Sequence, residues 1–107
     1  SNENRSQLIR VPSAIGKYRR VELRSPDPSA NTYLAFALII YAILDGIQNK
    51  TELPAPSDIN LYKADKDILT SFKQLPENFK SACTTAANSD FIRKYIPDAI
   101  LNIYCNR

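Results

Sequence analysis

An unbroken apolar run from Tyr33 to Leu44, YLAFALIIYAIL, constrains this chain more than any other feature. Twelve residues of helix rise only about 18 Å against a bilayer core of about 30 Å, so the run reads as a core helix and not a membrane span. Because it is apolar nearly all round, it is expected to be buried, enclosed by other elements. A chain of 107 residues has room for one small domain and barely enough protein to do the enclosing. The natural molecule is therefore expected to be larger or to assemble, since an exposed apolar face of that size favours self-association. The lack of any Met and the Ser1-Asn2 opening agree, so 1–107 reads as a single fragment.

Local signals place the rest around this helix. Asp27 offers an N-cap and Pro28 suits a first helical position, which predicts a long helix over about 28–48, ending near Gly46. Upstream, Leu8 to Val11 and Arg19 to Arg24 are β-compatible runs separated by Pro12, Ser13 and Gly16, an irregular hairpin. Downstream, Pro54, Pro56, Ser57, Asp58, Asn60 and the mixed charges of Tyr62 to Asp67 read as a surface loop. Two or three short helices follow, with starts at Pro76, at Ser89 capping DFIRKY, and at Pro97. The expected fold is α+β, predominantly helical: a β-rich segment 1–24, a central helix within 25–50, a loop 51–75 and helices in 76–107.

Composition narrows the chemistry. With 44% hydrophobic and 23% charged residues, the chain is a folded one and not a disordered tail. It contains no His, which removes the commonest general base and metal ligand and leaves carboxylates, Lys, Tyr and thiols. Cys83 and Cys105 lie far apart without a CxxC pair, so neither a zinc site nor a disulfide framework is indicated. They read as buried structural thiols in a reducing, cytoplasmic compartment. No signal peptide and no repeat is visible, and with only Gly16 and Gly46 there is no glycine-rich phosphate loop.

Charge is concentrated at the start. Residues 1–24 carry Arg5, Arg10, Lys17, Arg19, Arg20 and Arg24 against Glu3 and Glu22, a balance of +4, while the remainder sums to −1. An anionic ligand is expected there. Period-two alternation puts Arg20, Glu22 and Arg24 on one strand face, turned out of the core, and Val21 and Leu23 on the other. A lone carboxylate among guanidinium groups is held ionised, which suits a Mg²⁺ or Mn²⁺ ligand, while arginines offer bidentate donors to phosphate or carboxylate. Two plainer alternatives remain at this level. The face could be an ordinary cross-strand ion-pair surface, or the basic arm could serve a nucleic-acid or polyanion-binding module.

NRSQLIRVP at 4–12, followed by KYRRVELRSPDPSANTYLAFALIIYAILDGIQNK at 17–50, closely resembles the C-terminal part of the catalytic domain of glutamine synthetase, bacterial type. NLY at 60–62 is similar to a loop found downstream in bacterial members. The resemblance implies an ATP-dependent ligase that forms glutamine from glutamate and ammonia through γ-glutamyl phosphate. By position, Arg5 and Arg24 are the implied catalytic and glutamate-binding residues. Arg5, Arg10, Lys17 and Arg20 are the implied ATP contacts, and Glu22 a ligand of Mg²⁺ or Mn²⁺. The implied partners are glutamate, ammonia and ATP in a full-length enzyme that assembles as a homo-oligomeric ring, with no nucleic acid and no membrane. The family's other carboxylate metal ligands, its His ligand and its glycine-containing substrate loop do not appear in this sequence, so the chain alone is expected to be inactive. Thr32 stands where the family has Pro. Tyr62 occupies the position of a tyrosine that some bacterial members adenylylate, but Lys63-Ala-Asp-Lys replaces that loop's acidic-Leu-Pro context, so its modification is not expected.

Overall fold

A computed structural model of the chain describes residues 4–106. Its β segment is a two-stranded antiparallel sheet, β1 at Ile9–Arg10 and β2 at Glu22–Leu23, with Ile9 opposite Leu23 and Arg10 opposite Glu22. One further bond, Arg24 N–H to the Leu8 carbonyl at 2.8 Å, extends the ladder. Both strands are shorter than the expected Leu8–Val11 and Arg19–Arg24. Pro12 has no N–H to continue the first, and a single 3-10 turn at Gly16–Tyr18 reverses the chain between them. Gly16 sits at φ 59°, a left-handed conformation that glycine adopts without penalty.

The central helix α1 spans Thr32–Gln48, not 28–48. Asp27 caps a turn instead of the helix: its carboxylate accepts the Ser29 N–H at 2.7 Å and the Ser29 hydroxyl, and its carbonyl accepts the Ala30 N–H. Asn31 takes over the capping role, its Oδ1 accepting Leu34 N–H at 3.1 Å. At the far end Lys50 takes a left-handed φ of 49°, and Thr51 N–H closes onto the Gly46 carbonyl at 3.0 Å, a Schellman-like stop.

The stretch 51–75 is not loop throughout. A short helix α2, Lys66–Thr70, lies within it, and the charges of Lys66 and Asp67 mask the apolar Ile68 and Leu69 in the sequence. Three helices follow: α3 at Phe79–Ala87, α4 at Asp90–Tyr95 and α5 at Asp98–Cys105. A reciprocal capping box between Asn78 and Ser81 starts α3 three residues beyond Pro76. Ser89 caps α4 through Ile92 N–H, and α5 opens just after Pro97.

Helices α1, α3, α4 and α5 converge on a thin core. Tyr41 of α1 stacks on Tyr95 of α4 with ring centroids 4.1 Å apart, and Phe91 meets the Tyr95 edge. The Asn31 N–H reaches the Tyr104 hydroxyl at 3.3 Å, tying the start of α1 to α5. Among the described residues only Ile96, 7% exposed, is sealed from solvent. The expectation of a buried α1 is therefore corrected: Leu34, Ala35 and Leu38 face the other helices, whereas Tyr33 is 87% exposed and Phe36, Ile40, Ile43 and Ile47 are open with it. No helix among the described residues is long and apolar enough to cross a membrane.

Candidate active site

The register of the sheet builds the charged cluster. Residues directly opposite one another in an antiparallel pair project to the same face, so Arg10 of β1 meets Glu22 of β2. Alternation in the segments flanking β2 places Arg20 and Arg24 on that same face, where both reach Glu22. Arg10 grips the carboxylate with its planar fork, Nε donating to Oε2 at 2.8 Å and Nη2 to Oε1 at 3.0 Å. Arg20 donates to Oε1 through Nη2 at 3.1 Å and Nε at 3.2 Å, and Arg24 Nη1 stands 3.9 Å from Oε2.

On this face the Arg10–Glu22 pair is sheltered, which corrects the outward orientation read from the alternation for Glu22, while Arg20 beside it is 56% exposed. The Glu22 and Arg10 side chains are 26% and 14% exposed, whereas Val21 on the apolar face is 65% exposed. Electrostatics follow the geometry. Hydrogen bonding from Arg10, opposed in part by desolvation and aided by Arg20, holds the Glu22 carboxyl below its ordinary range. The same hydrogen bond raises Arg10 above its own. Glu22 is thus an anion at any physiological pH, held by three cations.

Arg5 and Lys17 are not among the ion-pair partners of Glu22. Arg5, Arg24 and Lys73 instead line a cavity of about 600 Å³ between the start of the chain and α2. Lys17 lies in the 3-10 turn, its Nζ 5.4 Å from the Tyr18 ring centroid. Glu3 lies outside the described residues.

The alternation gave no sign of how the Arg5 segment is anchored. Asn4 Nδ2 donates to the Ile59 carbonyl at 2.6 Å, Gln7 Nε2 to the Ser57 carbonyl, and Leu61 N–H donates to Ser6 Oγ at 2.9 Å. The Tyr62 hydroxyl donates to the Arg5 carbonyl at 3.3 Å. Residues 57–62 therefore act as a bracket for Arg5 from more than fifty positions away. The only hint in the sequence was the density of amide and hydroxyl side chains around Arg5.

A hard divalent cation prefers oxygen ligands, and the ionised Glu22 carboxylate fits as one of them. It is one only: no group of three or more His, Cys, Asp or Glu that could hold a metal ion occurs among the described residues.

The model of the family described as glutamine synthetase, catalytic domain, matches residues 1–107. A glutamine synthetase of Staphylococcus aureus (strain MW2) is 39% identical over 108 aligned residues, covering 99% of this chain and 24% of that protein. One from Thermotoga maritima is 48% identical over 91 residues, covering 83% of this chain and 21% of that protein. The chain spans about a quarter of the length of these relatives.

Proposed function

Because the chain belongs to the glutamine synthetase catalytic-domain family, we propose that it forms the arginine-rich edge of the active site of an ATP-dependent glutamate–ammonia ligase. It is the C-terminal portion of that catalytic domain, and works in a full-length cytoplasmic enzyme assembled as a homo-oligomeric ring. A γ-carboxylate oxygen of glutamate attacks the γ-phosphorus of ATP and ADP departs. Ammonia then attacks the acyl carbon of γ-glutamyl phosphate, phosphate leaves, and glutamine remains.

The observation that carries this reading is the convergence of Arg10, Arg20 and Arg24 on one ionised carboxylate across two strands. Reactants with several negative charges need dense, preorganised cations to bring them together and hold them in line. Arg5 and Arg24, which share a cavity, contact glutamate and the transferring phosphoryl group. Arg5, Arg10, Lys17 and Arg20 hold the phosphates of ATP. Glu22 is an oxygen ligand for Mg²⁺ or Mn²⁺, which when bound supplies Lewis-acid neutralisation of phosphate charge. Without ligands, Arg10 and Glu22 neutralise each other. With them, Arg10 exchanges the carboxylate for a phosphate and leaves Glu22 free to take a cation. The pair thus holds both groups in place in advance.

The test is glutamine formation by the full-length protein. Glu22→Ala or Arg24→Ala is expected to lower kcat/KM by on the order of 10²-fold or more, the scale of losing a charge-stabilising group. Unchanged activity would overturn the site assignment. The isolated 107-residue chain is expected to make no glutamine from glutamate, ammonia and ATP, and turnover by it would overturn the claim that its site is partial.

A further inference from the structure

Two thiols that sequence spacing treats as unrelated are brought together by the fold. Cys83 on α3 and Cys105 on α5 both line one apolar cavity of about 310 Å³, beneath α1. Phe79, Ala82, Cys83 and Ala86 recur at helical spacing along the α3 wall, and Leu101, Tyr104 and Cys105 form the α5 wall. The two helices pack directly, with the Phe79 and Tyr104 rings 6.3 Å apart beside the thiols. Both cysteines are free and half-buried, and both face this cavity. The Cys105 thiol is pushed upward first by burial and then by hydrogen bonding and charge interaction with Cys83, as expected of sulfurs in mutual reach.

We propose that Cys83 and Cys105 form an intrachain dithiol site that a low-molecular-weight disulfide, such as oxidised glutathione, converts to a disulfide joining α3 to α5. One protein thiol gives its proton to solvent, and its thiolate attacks the external disulfide. A mixed disulfide forms and one external thiolate leaves, taking up a proton. The second protein thiol, deprotonated in turn, attacks the protein sulfur of that mixed disulfide and expels the other external thiolate, which is also protonated. Two protein S–H bonds and one external S–S bond become one protein S–S bond and two external S–H bonds. The protein loses two electrons and the external disulfide gains them.

The site is independent of the arginine cluster and stands whether or not the ligase assignment does. Its consequence is mechanical. Tyr104, next to Cys105, accepts the Asn31 N–H at the start of α1, so the staple fixes the face of α5 on which α1 leans.

The test treats the intact protein with oxidised glutathione, blocks remaining thiols with N-ethylmaleimide, and digests with trypsin without reduction. Cleavage after Lys80, Arg93, Lys94 and Arg107 puts the two cysteines on separate peptides, 81–93 and 95–107. The expected product is these two peptides joined, lighter by two hydrogens than their sum and separated by dithiothreitol. Linkage is expected to form faster in the folded protein than in urea, and Cys83→Ser is expected to leave Cys105 carrying one glutathione or one maleimide. Recovery of both peptides individually capped in the wild type, a linkage between copies on a non-reducing gel, or equal rates in folded and urea-treated protein would each overturn the proposal.

Discussion

Glu22 shows how much one residue's surroundings decide. On a strand edge between two arginines it could have been a solvated ion pair worth tenths of a kcal/mol. The cross-strand partner Arg10 changes that by engaging both carboxylate oxygens. The alternation in RVELR exposed the shared face of Arg20, Glu22 and Arg24. It could not reveal Arg10, because pairing register depends on the turn between the strands and not on either strand alone. A pH dependence follows. Glu22 titrates below its ordinary value of about 4.5, so the stability its pairing contributes is fully present above that value. It is lost as pH falls through the depressed folded-state value. Glu22→Gln is expected to flatten the acid limb of the stability–pH curve, measured by urea unfolding between pH 3 and pH 7 (a range of about four units around the ordinary carboxylate value), and to leave its neutral-to-alkaline shape unchanged.

At the scale of elements, capping residues decided which boundaries were legible. The start of α4 at Ser89 is legible in the sequence because that side chain caps the helix directly, accepting the Ile92 N–H. Asp27 misled because its carboxylate is already satisfied by Ser29 within a turn, leaving the true cap to Asn31. The length of α2 hid it, since five residues carry too little periodicity to stand out from charged neighbours. Asn31→Ala is expected to destabilise the protein by about 1 kcal/mol through loss of the Leu34 N–H bond. Thr32→Pro has the opposite expectation. Thr32 is the first helical residue, and Asn31 before it already has extended dihedrals, φ −66° and ψ 112°, that a following proline favours. The substitution is expected to raise stability by up to about 1 kcal/mol by restricting the unfolded chain, as read by thermal or urea unfolding.

For the whole molecule, the open side of α1 dominates. Tyr33, Phe36, Ile40, Ile43 and Ile47 follow one another at alternating spacings of three and four, the pattern of a helix seam that seeks a partner. The apolar run was plain in the sequence, but its degree of enclosure was not, because enclosure depends on how many elements reach it. The isolated chain is expected to sediment as a species heavier than a monomer at micromolar concentration. Phe36→Lys with Ile43→Lys is expected to restore the monomer, and a wild-type monomer at all concentrations would show that the seam is inert.

With Ile96 alone sealed from water among the described residues, this polypeptide holds little cohesion of its own. If the open face of α1 is covered by a second copy, folding is expected to couple to that association, and order and assembly become one equilibrium governed by mass action. Dilution alone should loosen it, and its melting temperature should climb with protein concentration.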